Sequence, residues 1–348
     1  MELPAVAQPH RDSAGEAAGP VPVPVAFLGP FSSYSHQATK SAFSGPGWDL
    51  KPTQTIKEVF EVVQSGAAIY GVVPFENSTH GTVTFTLDGL ADRNATCKDI
   101  SVCAEIYLDV HHCLLGRRRP TANVTEPPLE TSTPTPTPTK PPRTKPLTSL
   151  AHIKRVYSHP QALGQSAKFL STYLRGVELV DVNSTSRAAE LAAEDASGTS
   201  AAVASELTGE VVGLEVLGRG IQDCEDNVTR FFVLSKGDIW EKGEGKGDAY
   251  GGGYKSMISF TVPHRTPGAL ADVLHCFKEA GLNLTSVNSL PSLVAPFHYL
   301  FFVEFEGGRA EDPEERVKRA VEGVERVAEV WRWLGSWRNQ WRGRRNGE

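Results

Sequence analysis

Apolar and polar positions alternate along most of the chain with the spacings of strands and helices. Short apolar runs, each followed by a polar or glycine-containing turn, predict strands at 25–28, 69–73, 153–157 and 177–182. Thr55 and Glu58 form a capping box at the start of a helix that we expect to end at Gly66. Residues 231–234 are all apolar, as in a strand buried on both faces. The alternation predicts an α/β fold with a mostly parallel sheet covered by helices.

The last third of the chain follows a different order: strand, helix, strand, strand, helix, strand. The strands are predicted at 256–262, 284–289, 298–305 and 330–334. A helix follows Pro267 and ends at Gly281, and Asp312 begins a second one. This order is the ferredoxin-like βαββαβ pattern.

Several segments lack this apolar periodicity. Residues 116–150 contain a Thr/Pro repeat at 131–138, which can neither form a core nor complete a strand ladder, so we expect a disordered insertion. Residues 237–254 are rich in Gly, Lys and Glu, which is typical of a linker. The predicted organisation is therefore a disordered tail at 1–24, a first domain at 25–236, the linker, a second domain at 255–337 and a basic tail at 338–348.

Composition narrows the class of protein. The 348 residues are 40% hydrophobic, enough for two or three cores, and the formal charge of -6 disfavours general nucleic-acid binding. The five cysteines are odd in number and lack CxxC spacing, which disfavours a disulfide framework or a zinc site and favours a reducing compartment. No apolar run reaches membrane-spanning length, and the first residues do not resemble a targeting signal. We expect a cytoplasmic protein without a metal, a membrane or a nucleic-acid partner.

Polar clusters follow the predicted strands. They contain Asn77 and Ser78, then Ser158 and Gln165, then Ser184 and Thr185, and finally Asn227, Thr229 and Arg230. Ligands of open α/β sheets bind at the carboxyl ends of the strands, so these clusters predict a site. Each cluster alone is also consistent with an ordinary turn.

Other chemistries fit the sequence less well. Ser158 and His159 are adjacent and lack an accompanying acid, so they do not form a Ser/His/Asp arrangement. His111 and His112 would point to opposite faces of a strand, and we interpret one as a surface residue and the other as a core residue. The glycines at 213–220 match no dinucleotide or phosphate motif. Chemistry without a cofactor remains.

In order, the motifs resemble those of the prephenate dehydratase family. They are Gly29-Pro30, residues 74–78, residues 158–165, Ser184-Thr185 and residues 221–231. The resemblance spans 25–236 apart from the insertion. It implies a two-lobed fold of the type II periplasmic-binding-protein kind, with substrate in the cleft between the lobes. It also implies the decarboxylative dehydration of prephenate to phenylpyruvate in phenylalanine synthesis, with no cofactor.

The resemblance also implies roles for individual residues. Thr229 would be the catalytic proton donor, although the sequence does not show how a weakly acidic hydroxyl is activated. The implied substrate-binding residues are Asn77, Ser78, Ser158, Gln165, Ser184, Thr185, Asn227 and Arg230. Arg230 could pair with a substrate carboxylate or brace the motif, and strand alternation favours bracing. Arogenate dehydratase and a non-catalytic amino-acid sensor remain alternatives.

The second domain resembles the ACT domain, which binds amino acids at a dimer interface. The resemblance implies an allosteric phenylalanine site and a homodimer or homotetramer. Its residues would be Gly268, Ala269, Leu270, Asn288, Ser289 and Pro291. Leu290 stands where the motif usually has arginine, so the sequence leaves open whether phenylalanine binds.

Overall fold

The computed structural model describes residues 21–118, 141–237, 253–309, 312 and 314–341. A first lobe is built on a sheet of strand order β2-β1-β3-β11-β5, with β4 paired to β3. Its elements are β1 (Val23–Leu28), α1 (Tyr34–Ala42), β2 (Trp48–Thr53), α2 (Ile56–Gln64), β3 (Tyr70–Asn77), β4 (Gly81–Thr82), α3 (Thr84–Ala91), β5 (Ile100–Asp109) and, from later in the chain, β11 (Val228–Lys236).

A second lobe is built on a five-stranded sheet of order β10-β6-β9-β7-β8. Its elements are β6 (Cys113–Gly116), β7 (Arg155–Ser158), α4 (Pro160–Gln165), α5 (Ala167–Tyr173), β8 (Glu178–Asp181), α6 (Thr185–Glu194), β9 (Ser200–Ala204), α7 (Glu206–Val212) and β10 (Glu215–Gly218). The chain passes between the lobes at 110–112 and again at 219–227. The expected two-lobed architecture is confirmed.

Both sheets are mixed, so the prediction of a mostly parallel sheet was wrong in detail. In the first lobe β1 runs parallel to β2 and β3, but β11 is antiparallel to both β3 and β5. The reason is connectivity, because β11 re-enters the first lobe from the second lobe rather than through a helical crossover within the sheet. Its residues from Arg230 to Ser235 are buried, as the apolar run predicted.

The C-terminal domain has the predicted βαββαβ order and an antiparallel sheet of order β13-β14-β12-β15. Its elements are β12 (Tyr254–Thr261), α8 (Ala269–Glu279), β13 (Leu284–Pro291), β14 (Tyr299–Glu306), α9 (Arg316–Val327) and β15 (Val330–Arg338). The ferredoxin-like pattern is therefore confirmed. The two helices pack on one face over a core that includes Phe277 and Val324.

The other face of this sheet packs against the first lobe. Met257, Phe302, Leu334 and Trp337 of the C-terminal domain lie in one buried cluster with Phe232 of β11. The ring centroids of Trp337 and Phe232 are 5.2 Å apart, and both side chains are fully buried. The two domains thus share a hydrophobic core.

Several predicted boundaries change. β1 begins at Val23, inside the predicted tail at 1–24, whose first 20 residues lie outside the described part. At the end of the predicted insertion, the Leu147 amide donates to the Leu217 carbonyl and Leu150 is buried, so the fold resumes before 150. The Thr/Pro repeat lies outside the described residues, as do 238–252 of the predicted linker.

The beginning of the predicted basic tail belongs to the folded structure. The Gln340 amide donates to Glu105 Oε1 over 2.9 Å, and the rings of Trp341 and Tyr107 lie 5.0 Å apart. Arg338 is the last residue of β15. The predicted boundary of the basic tail at 338 was therefore wrong, since 338–341 belong to the fold, while 342–348 lie outside the described residues.

Candidate active site

A cleft of about 1000 Å³ lies between the two lobes. Its wall carries five of the predicted site residues, which come from both lobes and from β11: Asn77, Gln165, Ser184, Thr185 and Thr229. The first and last of these are directly opposite each other on the paired strands β3 and β11. The structure thus brings together the motifs that were far apart in sequence.

The Thr229 hydroxyl has a defined partner. Asn77 Nδ2 lies 3.0 Å from Thr229 Oγ1 and donates to it. A hydrogen bond donated to the hydroxyl oxygen draws electron density from it and stabilises the negative charge left when the hydroxyl gives up its proton. The same bond leaves the hydroxyl hydrogen free to point into the cleft. The sequence did not reveal this partner of the Thr229 hydroxyl.

The orientation of the Asn77 amide is fixed by its other contacts. Its oxygen accepts hydrogen bonds from the Thr79 amide and hydroxyl and from the His80 amide, at 2.7–3.1 Å. Its nitrogen also donates to Asn227 Oδ1 over 2.8 Å. Because backbone N–H groups can only donate, the oxygen must face Thr79 and the nitrogen must face Thr229.

A second hydrogen-bond chain positions Gln165 on the opposite wall. His112 Nε2 lies 2.6 Å from Gln165 Oε1, and the Tyr34 hydroxyl lies 2.8 Å from His112 Nδ1. Burial lowers the pKa of His112 to about 4, so the ring is neutral near pH 7. The Gln165 amide nitrogen then donates to Thr79 Oγ1 over 2.9 Å, across the cleft.

The N-termini of helices from both lobes face the cleft. The N-cap residues of α1, α2 and α6 all line it; they are Ser33, Thr55 and Ser184. Each side chain accepts a hydrogen bond from a backbone amide of the first turn, as expected for N-caps. Among the described residues, Arg187 is the only lysine or arginine in the cleft wall, and it pairs with Glu190 over 2.8 Å. The arrangement suits an anionic ligand.

Three predicted substrate contacts are structural instead. Ser158 is fully buried and donates to the Val203 carbonyl over 2.6 Å. Ser78 donates to the Asp226 carbonyl and accepts from the Val228 amide, so it joins β3 to the loop before β11. Asn227 is buried behind Asn77. None of the three lines the cleft.

The Arg230 side chain also faces away from the cleft. This is the orientation expected if Arg230 braces the motif. Its side chain is buried between the first lobe and the C-terminal domain, where Nη2 lies 2.7 Å from Glu105 and 2.5 Å from Glu304. The guanidinium carbon lies 4.9 Å from the centre of the Phe232 ring. Burial would lower the pKa of Arg230, but the two carboxylates outweigh it and raise the pKa. Pairing with a substrate carboxylate is therefore contradicted.

The predicted allosteric residues fall into two places in the C-terminal domain. Gly268 precedes α8 with a φ of +85°, a conformation that favours glycine, while Ala269 and Leu270 begin that helix. On β13, Asn288 Oδ1 accepts a hydrogen bond from Thr82 over 3.0 Å, so the second motif touches the first lobe. Ser289 lies beside it on that strand, and the Pro291 carbonyl accepts from Arg93 over 2.7 Å. Leu290 is buried in the hydrophobic cluster that the first lobe and the C-terminal domain share.

Metal-ion and membrane features are not seen in the part of the chain that the structure covers. No group of three or more His, Cys, Asp or Glu side chains there could hold a metal ion. No helix among those residues is both long enough and apolar enough to cross a membrane.

Sequence reasoning missed several contributors to the site, among them His112 and Arg187. His112 was assigned to a strand with one surface and one core histidine, but it lies in the lobe crossover and lines the cleft. Arg187 follows Ser184 by three residues and lines the cleft from the first turn of α6. Its position after the predicted N-cap was a signal that could have identified it.

The fold and site define a two-lobed class of protein whose cleft suits an anionic ligand and carries a threonine hydroxyl in its wall. Residues 25–239 match the family model described as prephenate dehydratase. A bifunctional chorismate mutase/prephenate dehydratase of Aquifex aeolicus is 33% identical over 90% of this chain and 73% of its own length. A prephenate dehydratase of Methanocaldococcus jannaschii is 30% identical over 88% of this chain and 95% of its own.

A solved structure extends the comparison to the whole fold. The prephenate dehydratase of Arthrobacter aurescens, solved in complex with L-Phe, has a TM-score of 0.71 and 27% identity. The match covers 91% of this chain and 90% of that one. The chain belongs to the prephenate dehydratase family.

Proposed function

We propose that the chain converts prephenate to phenylpyruvate, with Thr229 as the proton donor. The observation that carries the assignment is the Thr229 hydroxyl in the cleft wall, 3.0 Å from the Asn77 amide nitrogen that donates to it. Family membership supports the reaction, and this geometry supports the residue.

The reaction needs one proton and no redox step. Thr229 donates its hydroxyl proton to the ring hydroxyl of prephenate as the carbon–oxygen bond breaks, and water leaves. The electron pair of the bond to the ring carboxylate moves into the ring, which becomes aromatic as carbon dioxide departs. The Asn77 N–H stabilises the charge that develops on Thr229 Oγ1, and a proton from solvent restores the hydroxyl.

We propose that the N-termini of the cleft helices bind the two substrate carboxylates. Ser184 and Thr185 begin α6 at the cleft, and Arg187 adds a cation one turn later. Backbone amides at a helix start attract anions without requiring a dedicated cation for each carboxylate. Gln165 would contact the substrate from the same lobe.

Replacing Thr229 with alanine tests the proposal. We expect kcat for phenylpyruvate formation to fall about 10²- to 10⁴-fold, the usual contribution of a general acid, while Thr229→Ser keeps most of the activity. Unchanged turnover in Thr229→Ala would contradict the assigned role. Assays with prephenate and arogenate separate the two dehydratases, and a wild-type protein that binds without turning over either would be a sensor.

Regulation and assembly are further parts of the proposal. L-phenylalanine would act as the allosteric effector of the C-terminal domain, supported by the L-Phe complex of the Arthrobacter aurescens relative and the open backbone at Gly268. A homodimer or homotetramer is the expected assembly. Cytoplasmic location is supported by five cysteines without a disulfide, three of which are buried.

A further inference from the structure

Four buried charges lie where the first lobe meets the C-terminal domain. Glu105 and Arg230 come from the first lobe, and Lys255 and Glu304 come from the C-terminal domain. Arg230 Nη2 contacts both carboxylates, and Lys255 Nζ lies 3.4 Å from Glu105 and 3.5 Å from Glu304. We call these four residues the interdomain charge cluster. Each domain contributes one cation and one anion, so the cluster is neutral overall.

The cluster is too deeply buried to be explained as surface pairing. The four residues are between 0% and 6% exposed. Burial would raise the pKa of Glu304, but Arg230 and Lys255 outweigh it and lower the pKa, so the carboxylate stays charged. Apolar residues of similar size often stabilise such a position equally well or better. The burial of these four charges therefore indicates that the cluster fixes the local geometry of the domain contact and does not serve stability alone.

One end of the cluster is adjacent to the proton donor. Thr229 and Arg230 are consecutive on β11 and point to opposite faces, one into the cleft and the other into the cluster. The pairing of β11 with β3 shifts register directly after Arg230, whereas the pairing with β5 stays in register there, so this end of the strand is held less regularly on its β3 side. The guanidinium is thus a side-chain anchor for this segment on the face opposite the cleft, in addition to Ser78 and Asn77, whose side chains bond the Val228 backbone.

The other end of the cluster reaches the strand that carries the second ACT-like motif. Glu304 lies on β14, and its Oε1 accepts a hydrogen bond of 2.5 Å from the Thr285 hydroxyl on β13. β13 continues to Asn288, which contacts Thr82 just beyond the Asn77 motif. The C-terminal domain therefore touches the strands on both sides of the Thr229–Asn77 pair.

We propose that Glu304 is a positioning residue for the reaction in the cleft. From the C-terminal domain, it holds the Arg230 guanidinium and so fixes the segment of β11 on which the Thr229 hydroxyl meets the substrate. The inference rests on the proposed function of Thr229 and extends it to a residue that never touches substrate.

Two matched substitutions in the full chain test this role. Glu304→Gln keeps the side-chain size but removes one of the two buried carboxylate charges that hold Arg230, the one supplied by the C-terminal domain. Lys255→Gln removes an equally buried charge from the same cluster and leaves both carboxylates to Arg230. We expect Glu304→Gln to lower kcat about 10- to 100-fold with KM within about twofold, because a displaced catalytic group slows the chemical step more than it weakens binding. Lys255→Gln should keep kcat within about threefold of wild type.

A milder variant covers the possibility that Glu304→Gln does not fold. Thr285→Val removes the hydroxyl that holds Glu304 and leaves every charge in place. We expect an intermediate loss of kcat, roughly three- to tenfold, again with little change in KM. Equal kcat losses in Glu304→Gln and Lys255→Gln that follow their melting temperatures would overturn the proposal, as would full activity in both Glu304→Gln and Thr285→Val.

Amide hydrogen exchange gives a readout that does not depend on turnover. Exchange of the peptide spanning 228–231 should accelerate in Glu304→Gln and Thr285→Val but not in Lys255→Gln. If the wild-type protein fails to convert prephenate, the proposed function falls, yet this comparison still decides the positioning role. Unchanged exchange in Glu304→Gln would refute it.

Discussion

In the proposed mechanism, the acidity of the Thr229 hydroxyl depends on the hydrogen bond that Asn77 donates to it. Asn77→Asp keeps the oxygen that accepts from Thr79 and His80, but it replaces the nitrogen that donates to Thr229. The new carboxylate would accept from the hydroxyl and turn its hydrogen away from the substrate. We expect kcat to fall about 10²- to 10³-fold, the usual effect of losing one such donor.

A second variant separates loss of the donor from the added charge. Asn227→Asp places a carboxylate beside Asn77 and still accepts the Asn77 N–H, so the bond to Thr229 remains. We expect a much smaller fall in kcat than in Asn77→Asp. Equal effects of the two variants in steady-state kinetics would show that charge, not the donated hydrogen bond, controls the reaction.

The buried His112 should make stability depend on pH. Its folded-state pKa of about 4 lies below the ordinary value of 6.5, so the unfolded chain binds more protons between these values. Stability is then lost as the pH falls from about 6.5 to about 4, by about 3 kcal/mol in total. His112→Gln keeps a donor for Gln165 but cannot titrate, so the stability difference between wild type and variant should change by that amount across the window.

Urea unfolding at several pH values measures this difference. His111→Gln is the matched control, because His111 is the exposed neighbour and lies outside the Tyr34–His112–Gln165 chain. Its stability should change with pH nearly as that of the wild type does, because burial is the largest cause of the lowered pKa of His112 and His111 contributes less. Parallel curves for wild type and His112→Gln would contradict the proposed contribution of the buried ring.

The sequence motifs were a better guide to which residues lie near the site than to what each residue does there. Thr229, Asn77 and Gln165 were named and lie in the cleft, because the ends of neighbouring strands meet at one edge of a fold. Ser158 was named equally clearly but points inward to the Val203 carbonyl. Which way a side chain points at the end of a strand depends on packing that the sequence does not display. His112 was missed for the same reason.

At the scale of elements, α1, α2 and α6 are among the helices that begin at the cleft, and their N-termini should contribute to substrate affinity. Ser184→Asp tests α6, because aspartate caps a helix about as well as serine but brings a negative charge to the proposed carboxylate site. We expect the melting temperature to stay the same or rise while KM for prephenate increases about tenfold or more. Thermal unfolding and steady-state kinetics of Ser184→Asp together test this, because KM should rise while the melting temperature does not fall.

Ser184→Ala provides the comparison for this helix. It removes the bond from the Arg187 amide and should cost about 1 kcal/mol of stability with a smaller rise in KM. An unchanged KM in Ser184→Asp would place the substrate carboxylates elsewhere in the cleft.

Most helices and strands could be predicted from the sequence, whereas the pairing of the strands with one another could not. The strands at 25–28, 69–73 and 231–234 were recognised because unbroken apolar runs require burial on both faces. The direction of β11 was not, because a strand that is buried on both faces has the same pattern in a parallel and an antiparallel sheet. Only the connection through the second lobe determines it.

At the scale of the molecule, β11 joins three parts. It closes the sheet of the first lobe, carries Thr229 into the cleft and presents Arg230 to the C-terminal domain. The sequence indicated two domains but not that they share a core, because Lys255 and Glu304 looked like ordinary polar positions of alternating strands. Complementary burial of charges on two surfaces can be seen only once both surfaces are folded.

The closeness of the two domains leads to a last prediction, at Gly335 of β15. This residue has a φ of +135°, and a Cβ there would lie only 2.1 Å from the Val102 carbonyl oxygen of β5. Gly335→Ala must therefore move β15 away from the first lobe and loosen the interdomain charge cluster. We expect kcat to fall about tenfold or more, since misplacing Thr229 by a fraction of an ångström slows the chemistry. Gly281→Ala is the matched control, because Gly281 also has a positive φ, of +70°, but a Cβ there would have open space around it apart from its own chain neighbours. It should cost about 1–2 kcal/mol of stability and leave kcat unchanged. Steady-state kinetics and thermal unfolding of both variants decide the matter, and full activity in Gly335→Ala would show that the Thr229 site is independent of how the C-terminal domain is docked.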